Sequence, residues 1–155
     1  MEHYTILNEN THRFPVVIDL PHSGTFVPED IHSSLLDGAC LSNTDWFLPD
    51  LYDFLPAMGC TTMVNRLSRY VVDMNRPADS ASIGDYRKTV IYQENTQGSP
   101  LYSSPLDENE ISRRVSLYYD PYHQALEKLL RQKLQVYPSV CLLDLHSFFL
   151  DFGDG

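Results

Sequence analysis

The sequence has few basic residues and no long apolar run, and each shortage excludes a class of protein. Eleven lysines and arginines stand against 21 acidic residues, which gives a formal net charge of -10. A chain with this charge repels a phosphate backbone, so we expect no nucleic-acid partner. No apolar stretch approaches the ~20 residues of a membrane span, and no basic-then-apolar leader opens the chain. We therefore expect a cytoplasmic protein with no membrane partner.

Cysteine is also scarce. Cys40, Cys60 and Cys141 form no C-x-x-C pair, which argues against a disulfide framework and against a structural zinc knuckle. Cys141 lies in an apolar run and is predicted to be buried. The 155 residues, 43% hydrophobic and 21% charged, are typical of one globular domain, residues 1–155.

Alternating strand and helix patterns predict an α/β fold. Residues 14–20 (FPVVIDL) have the continuous apolarity of a central strand, and 139–149 return to strand after a long helical pattern over 106–137 that Pro121 should kink or divide. Residues 42–59 predict a helix that begins near Ser42, Asn43 or Thr44 and ends at Gly59, and residues 60–77 contain one or two strands. This order predicts a layered, mainly parallel or mixed sheet flanked by helices.

Two of the predicted strands end on a histidine that is followed by a serine. Ligands of such sheets bind beyond the carboxyl ends of the strands, where His22 and His146 would lie together. Two imidazoles and one carboxylate suit Zn²⁺, and Asp45 is the candidate carboxylate, although it could instead be a helix-start acid. Asp19 and Asp144 could orient the histidines by accepting their other ring N–H. The alternative is that each histidine is a hydrogen-bonded structural residue.

A local concentration of arginine in an acidic chain indicates an anion site. Arg66, Arg69 and Arg76 lie within eleven positions, and a guanidinium grips a carboxylate with two parallel hydrogen bonds. The alternative is salt bridging with Asp73 and other acids. No G-x-S-x-G sequence is present, which argues against a serine hydrolase.

Five segments, in this order, resemble the N-formylglutamate amidohydrolase (N-formylglutamate deformylase) family: PHSGTFVP, NTDW, SRYVVDMNRP, PLDENEISRRVSLYYDPYHQAL and LLDLHSF. The resemblance covers about residues 16–146. It implies a zinc-dependent hydrolase with a fold similar to zinc carboxypeptidases and aspartoacylases. The implied reaction cleaves N-formyl-L-glutamate, a small anionic N-acyl amino acid, to formate and glutamate in histidine degradation.

The resemblance also implies roles for individual residues. The implied zinc ligands are His22, Asp45 and His146. The implied substrate-carboxylate or scaffolding residues are Arg69, Asn75 and Arg76, and the match draws attention to Arg113 and Arg114, whose bare sequence context is that of a solvated helix face. The full set of candidate substrate-binding residues is Arg66, Arg69, Asn75, Arg76, Arg113 and Arg114.

One departure from the family bears on catalysis. Family members continue beyond the segment that matches DLHS, so we expect this chain to be an N-terminal portion, with a glutamate general base beyond Gly155. Another zinc amidase, of the peptidoglycan or acyl-amino-acid type, is an alternative function, as is a non-catalytic metal-binding or ligand-binding remnant. A truncated sheet exposes an edge strand, which makes a homo-oligomer a reasonable expectation.

Overall fold

The computed structural model describes residues 3–78 and 88–148. The elements are, in chain order, β1 (Tyr4–Leu7), β2 (Val16–Leu20), α1 (Glu29–His32), α2 (Leu48–Leu51), α3 (Phe54–Ala57), β3 (Thr61–Asn65), α4 (Glu108–Arg114), a π-helical turn (Val115–Tyr119), α5 (Asp120–Leu134) and β4 (Cys141–Asp144). The four strands form one sheet in the order β1-β3-β2-β4.

The sheet is mixed, and the predicted central strand occupies its interior. β2 pairs in parallel with β3 on one side and with β4 on the other, while β1 runs antiparallel to β3. Val17, Ile18 and Leu20 of β2 are almost fully buried, as continuous apolarity predicts for a strand covered on both faces. The predicted α/β class with a mixed sheet is confirmed.

The single helix predicted over residues 42–59 is wrong. The structure has two one-turn helices instead, and Phe47, which precedes the first, has a left-handed backbone with φ 61°. A left-handed residue interrupts a right-handed helix, so no continuous helix can run from Ser42 through this segment. Pro49 is accommodated in the first turn of α2, where its missing N–H has no intrahelical partner to lose. Gly59 ends α3 with φ 96°, as predicted from the sequence.

Residues 60–77 contain one strand, β3. The β-branched pair Val71 and Val72 is buried in the core without pairing to the sheet. The N–H of Val71 donates to the carbonyl of Ser68 instead, so this stretch turns across the end of the sheet. That turn directs the polar residues after Val72 toward the strand ends.

The long helical pattern continues past Pro121 without a division. Asp107 caps α4 by accepting the N–H of Glu110 at 2.8 Å, and the π-helical turn ends at Tyr119, two residues before Pro121. This wider turn accommodates a ring that has no N–H to continue the ladder. On α5, Leu126 and Leu129 are buried, whereas Leu134 is half exposed.

The edge strand β4 is exposed. Leu142 and Leu143 are 41% and 42% exposed, and Cys141 is exposed as well. The prediction that Cys141 is buried is therefore wrong, because no element within the described ranges covers β4 beyond its pairing with β2. The expected exposed edge strand is present. Within the described ranges, no helix has both the length and the apolarity to span a bilayer.

Candidate metal and substrate site

His22, Asp45 and His146 come together at the carboxyl ends of β2 and β4. One ligand atom from each lies within 4.8 Å of the others. Nδ1 of His146 is 3.1 Å from Oδ2 of Asp45, and Nδ1 of His22 is 4.0 Å from the same oxygen. His22 and Asp45 are buried, and His146 is half-buried. These three residues are called the triad below.

Parallel pairing of β2 with β4 brings the two histidines together, because each follows its strand by two residues. The backbone N–H of Leu145 donates to the carbonyl of Asp19 at 2.9 Å, which extends this pairing to the edge of the site. The imidazole centroids are 4.9 Å apart. Each strand carries one histidine at its end, and the two histidines form a common site only because the sheet pairs the strands side by side.

A loop, not a helix, places Asp45. Its N–H donates to the carbonyl of His22 at 3.0 Å, so the backbone of one triad member holds another. Asn43 and Phe47, two residues to either side, both have left-handed backbones with φ 61°. Non-glycine residues in this conformation store strain, which is concentrated at functional sites. The alternative role of Asp45 as a helix-start acid is excluded by this conformation.

A carboxylate that the sequence reasoning missed orients His22. Nε2 of His22 donates to Oδ1 of Asp73 at 2.7 Å, and Asp73 is fully buried. Nδ1 of His22 is thereby left to face Asp45. Burial alone would raise the pKa of Asp73, but the hydrogen bond and charge of His22, together with Arg69 and Tyr92, hold that pKa well below its usual range. The available sequence signal was an acid inside an apolar stretch, YVVDM.

Asp19 does not have the predicted role. Its carboxylate accepts the hydroxyl of Tyr122 and makes no hydrogen bond to His22, because the side chain lies against α5. Burial raises the pKa of Asp19 to about 7, against the opposing hydrogen bond from Tyr122, and the nearby charge of Asp144 raises it further.

Asp144 lies where the sequence reasoning put it, beside His146. Nε2 of His146 is 3.1 Å from Oδ1 of Asp144 and 3.0 Å from Nδ2 of Asn75. The hydrogen bonds that His146 donates to Asp144 and then to Asp45 raise the pKa of His146 to about 9. Burial would raise the pKa of Asp45, but the hydrogen bonds from His146 and Ser147 lower it. A metal ion that binds here must displace the proton of His146.

A cavity of about 570 Å³ beside Asp45 contains two of the predicted arginines. Arg69 and Arg76 line it with Asp45, and the other lining residues are Asn43, Thr44, Ser147 and Phe148. A second cavity of similar volume, about 550 Å³, contains Arg66 but no member of the triad. The triad therefore selects the first cavity as the candidate substrate site.

The two arginines in this cavity differ in what they already bind. The guanidinium of Arg69 donates to Asp73 at 2.8 Å and to the hydroxyl of Tyr92 at 2.8 Å. Arg76 donates only to the carbonyl of its neighbour Asn75 at 2.7 Å, and its buried Nε has no hydrogen-bond partner in residues 3–78 and 88–148. Arg76 is therefore the arginine available to an incoming anion, and Arg69 is committed to internal contacts.

Arg113 and Arg114 do not line this cavity. Arg113 donates to Asp30 and Glu110, while Arg114 is fully buried and donates to Glu110 and to the hydroxyl of Tyr102. Their guanidinium groups are occupied by Glu110 of the same helix, by Asp30 of α1 and by the phenol of Tyr102. These contacts correct the expectation that the pair binds substrate and give Arg114 a core-packing role.

The donor set of the triad fits a zinc ion. Zinc takes imidazole nitrogen and carboxylate oxygen at ~2.1 Å, which places tetrahedral ligand atoms about 3.4 Å apart. The observed separations of 3.1 and 4.0 Å lie on either side of that spacing. The opposite ring nitrogen of each histidine contacts an aspartate, the arrangement that fixes the ligating nitrogen at many metal sites.

Comparison with known proteins decides the family. The sequence model described as N-formylglutamate amidohydrolase matches residues 14–153. The chain belongs to this family. It is 34% identical over 147 residues to the N-formylglutamate deformylase of Pseudomonas aeruginosa and 30% identical over 146 residues to that of Pseudomonas putida. Each alignment covers 92% of this chain and 55% of the relative, so the chain spans about half the length of these curated relatives.

Solved structures give the same fold. The N-formylglutamate amidohydrolase of Ralstonia eutropha JMP134 superimposes with a TM-score of 0.82 at 27% identity, over 96% of this chain and 58% of that one. A gene product of Agrobacterium tumefaciens superimposes with a TM-score of 0.78 at 20% identity, over 96% and 57% of the two chains. The family expected from the sequence motifs is confirmed.

Proposed function

We propose that this chain carries the metal ligands and an anion anchor of a zinc-dependent amidohydrolase that removes the formyl group of N-formyl-L-glutamate. The observation that carries the proposal is the convergence of His22, Asp45 and His146 beside a cavity that Arg76 lines. The names of the curated relatives support this substrate. The mixed α/β sheet, with the triad at its strand ends, is also the basis for proposing a zinc carboxypeptidase-like architecture.

The triad residues would hold the metal through Nδ1 of the two histidines and a carboxylate oxygen of Asp45. A zinc ion bound there supplies Lewis-acid chemistry, which activates water and polarises a carbonyl group at neutral pH. Asp73 and Asp144 accept from, or lie against, the opposite ring nitrogens and keep Nδ1 directed inward. Binding and orientation of the metal are thus assigned to residues of this chain.

Arg76 would position the substrate. Glutamate derivatives carry carboxylates, and a chain of net charge -10 needs a local positive group to attract them. The guanidinium of Arg76 pairs with one carboxylate and so orients the formyl amide toward the triad. Hydrolysis adds water to the formyl carbon, breaks the C–N bond and transfers a proton to the departing amine, which yields formate and glutamate.

The proton-transfer group stays a prediction. The hydrogen bonds and ion pairs of the triad go to aspartate, asparagine and serine side chains, and none goes to a glutamate within the described ranges.

Metal analysis and binding titration test the proposed zinc site. We expect about one zinc per chain, bound through the triad. His22→Ala and His146→Ala should each weaken zinc binding by at least ~100-fold, since each removes a direct ligand. His32→Ala, which changes an exposed histidine of α1, is the matched control and should bind like the parent. Equal zinc affinity in all four proteins would contradict the assignment.

A substrate panel tests the reaction. The zinc-loaded protein is incubated with N-formyl-L-glutamate, N-acetyl-L-glutamate and a muramoyl peptide, and release of the free amine is measured. Preference for the formyl compound supports the proposal, and preference for either other compound assigns a different amidase activity. Zinc uptake with no turnover of any of the three would favour a metal-binding role for the chain as it stands.

The anchoring role of Arg76 is tested separately from the metal. Arg76→Ala should weaken binding of N-formyl-L-glutamate by roughly 10- to 100-fold, the size of one charge-assisted pair, with zinc affinity unchanged. Arg113→Ala is the control, since this half-buried arginine contacts Asp30 and Glu110 instead. Unchanged ligand binding in Arg76→Ala would remove Arg76 from the substrate site.

A further inference from the structure

A second layer of buried polar side chains lies behind His22. We propose that Tyr92 and Arg69 are positioning residues, which fix the imidazole of His22 for metal binding by anchoring Asp73. The inference rests on the proposed metal site and extends it to two residues that hydrogen-bond to Asp73 and to each other. It reassigns Arg69, which sequence reasoning placed among the substrate ligands.

The four side chains form a continuous path. Oδ1 of Asp73 accepts from Nε2 of His22 at 2.7 Å, and Oδ2 of Asp73 accepts from Nη2 of Arg69 at 2.8 Å and from the hydroxyl of Tyr92. The hydroxyl of Tyr92 in turn accepts from Nε and Nη2 of Arg69 at 3.2 and 2.8 Å. The backbone N–H of Asn75 donates to Oδ1 at 2.8 Å. Each oxygen of Asp73 therefore has its own set of donors.

This division of contacts fixes the rotation of the carboxylate. A carboxylate held only at Oδ1 is fixed less firmly about its last side-chain bond than one held at both oxygens, since that torsion is broad. Arg69 and Tyr92 hold Oδ2, so Oδ1 stays aimed at Nε2 of His22. The imidazole is then fixed in the orientation that turns Nδ1 toward Asp45. Loss of the Oδ2 contacts would loosen His22 without touching any metal ligand.

The fold holds this region by other means, so loss of one hydroxyl leaves it folded. The N–H of Asp73 donates to the carbonyl of Val90 at 2.7 Å, which ties the segment that carries Tyr92 to the site. The ring of Tyr92 packs edge-on against Tyr70 at 5.3 Å in a buried cluster with Leu101. Phenylalanine keeps this packing and removes only the hydroxyl.

The test is the zinc affinity of Tyr92→Phe, measured by competition with a chelator at fixed pH. We expect binding about 3- to 10-fold weaker than in the parent, the effect of one lost hydrogen bond passed on through Asp73. Tyr70→Phe is the matched control, because Tyr70 is an equally buried tyrosine of the same cluster whose hydroxyl bonds to Ser42. Tyr70→Phe should bind zinc like the parent. Arg69→Lys tests the second member of the pair and should weaken binding similarly.

A double-mutant cycle separates positioning from a general loss of packing. In an Asp73→Asn background, adding Tyr92→Phe should change zinc affinity by less than about 2-fold, because its path to His22 is already cut. A Tyr92→Phe effect that is undiminished in this background would overturn the proposal. So would parental zinc affinity in both Tyr92→Phe and Arg69→Lys.

A metal-free readout distinguishes this inference from the proposed function. The ¹⁵N resonances of the His22 ring report which nitrogen carries the proton and how strongly it is hydrogen-bonded. Tyr92→Phe should shift the Nε2 resonance, and Tyr70→Phe should leave it unchanged. If the parent binds no zinc, the proposed metal site fails, yet this comparison still shows whether Tyr92 controls His22. Unchanged ring resonances in Tyr92→Phe would refute the positioning role by themselves.

Discussion

Replacement of Asp19 by asparagine should change how the stability of the protein depends on pH. Asp19 is 5% exposed, and burial raises the pKa of its carboxyl from 3.8 to about 7. At about 1.4 kcal/mol for each pH unit, ionising Asp19 in the folded protein costs on the order of 4 kcal/mol more than in the unfolded chain. This is a large fraction of the stability of a typical domain.

The sign follows from the proton balance. Between about pH 4 and pH 7 the unfolded chain has released the proton of Asp19 while the folded protein retains it. The free energy of unfolding therefore falls as pH rises through this window, and the full penalty is present above pH 7. Asparagine cannot ionise, and its Oδ1 can still accept the hydroxyl of Tyr122. The free energy of unfolding of Asp19→Asn, relative to that of the parent, should therefore increase by about 4 kcal/mol between pH 4 and pH 8. Any effect of the substitution that does not depend on pH leaves this increase unchanged.

Urea unfolding of the chelator-treated protein, followed by circular dichroism from about pH 4.5 to about pH 8, measures this difference. Asp50→Asn, at an exposed aspartate of α2, is the control and should track the parent within about 0.5 kcal/mol. A constant difference between Asp19→Asn and the parent, or one that shrinks with rising pH, would refute the reasoning.

Three further substitutions, one of them with a control variant, test other parts of the structure, each by urea or thermal unfolding. Gly24→Ala should destabilise the fold by at least ~3 kcal/mol, because a β-carbon would lie 2.2 Å from a backbone carbon just after β3; a near-neutral result would mean that this close approach is absent. Arg114→Ala should cost about 3–5 kcal/mol, since it empties a fully buried position and removes a partner of Glu110. Its control, Arg113→Ala, removes a partly exposed arginine and should cost less than about 1 kcal/mol. Equal costs would contradict the assigned burial. Phe47→Asn should raise stability by up to about 1 kcal/mol, because asparagine tolerates the left-handed backbone of this 74% exposed residue, and a lower melting temperature would show that the ring is needed.

The two histidines could be predicted because their placement depends on local sequence and one topological rule. A buried strand that ends on a polar turn is visible as a run of residues, and parallel strands present their carboxyl ends at the same edge. His22 and His146 follow from these two facts. Asp45 was found by motif, but its predicted helical setting was wrong, since the left-handed backbone of Phe47 leaves no periodic signal.

The roles of the arginines could not be predicted, because they depend on which side chains each guanidinium contacts. Arg76, Arg69 and Arg114 are chemically identical in the sequence, and all three lie in segments rich in polar residues. Folding leaves the first with an open guanidinium in the cavity, commits the second to Asp73, and buries the third against Glu110. The role of each guanidinium depends on which acidic side chain lies beside it in the folded protein, and this is set by tertiary contacts.

Sequence alone therefore determined the α/β class, the family, and the two imidazoles at the strand ends, because apolar periodicity and short motifs are encoded by neighbours along the chain. Only the tertiary structure decided that Asp73 holds His22, since this hydrogen bond joins residues 51 positions apart. It also decided that Asp19 accepts the hydroxyl of Tyr122, which lies 103 positions away in the sequence. A buried carboxylate takes whichever donor the packed chain brings within about 3 Å, and that choice depends on the whole fold.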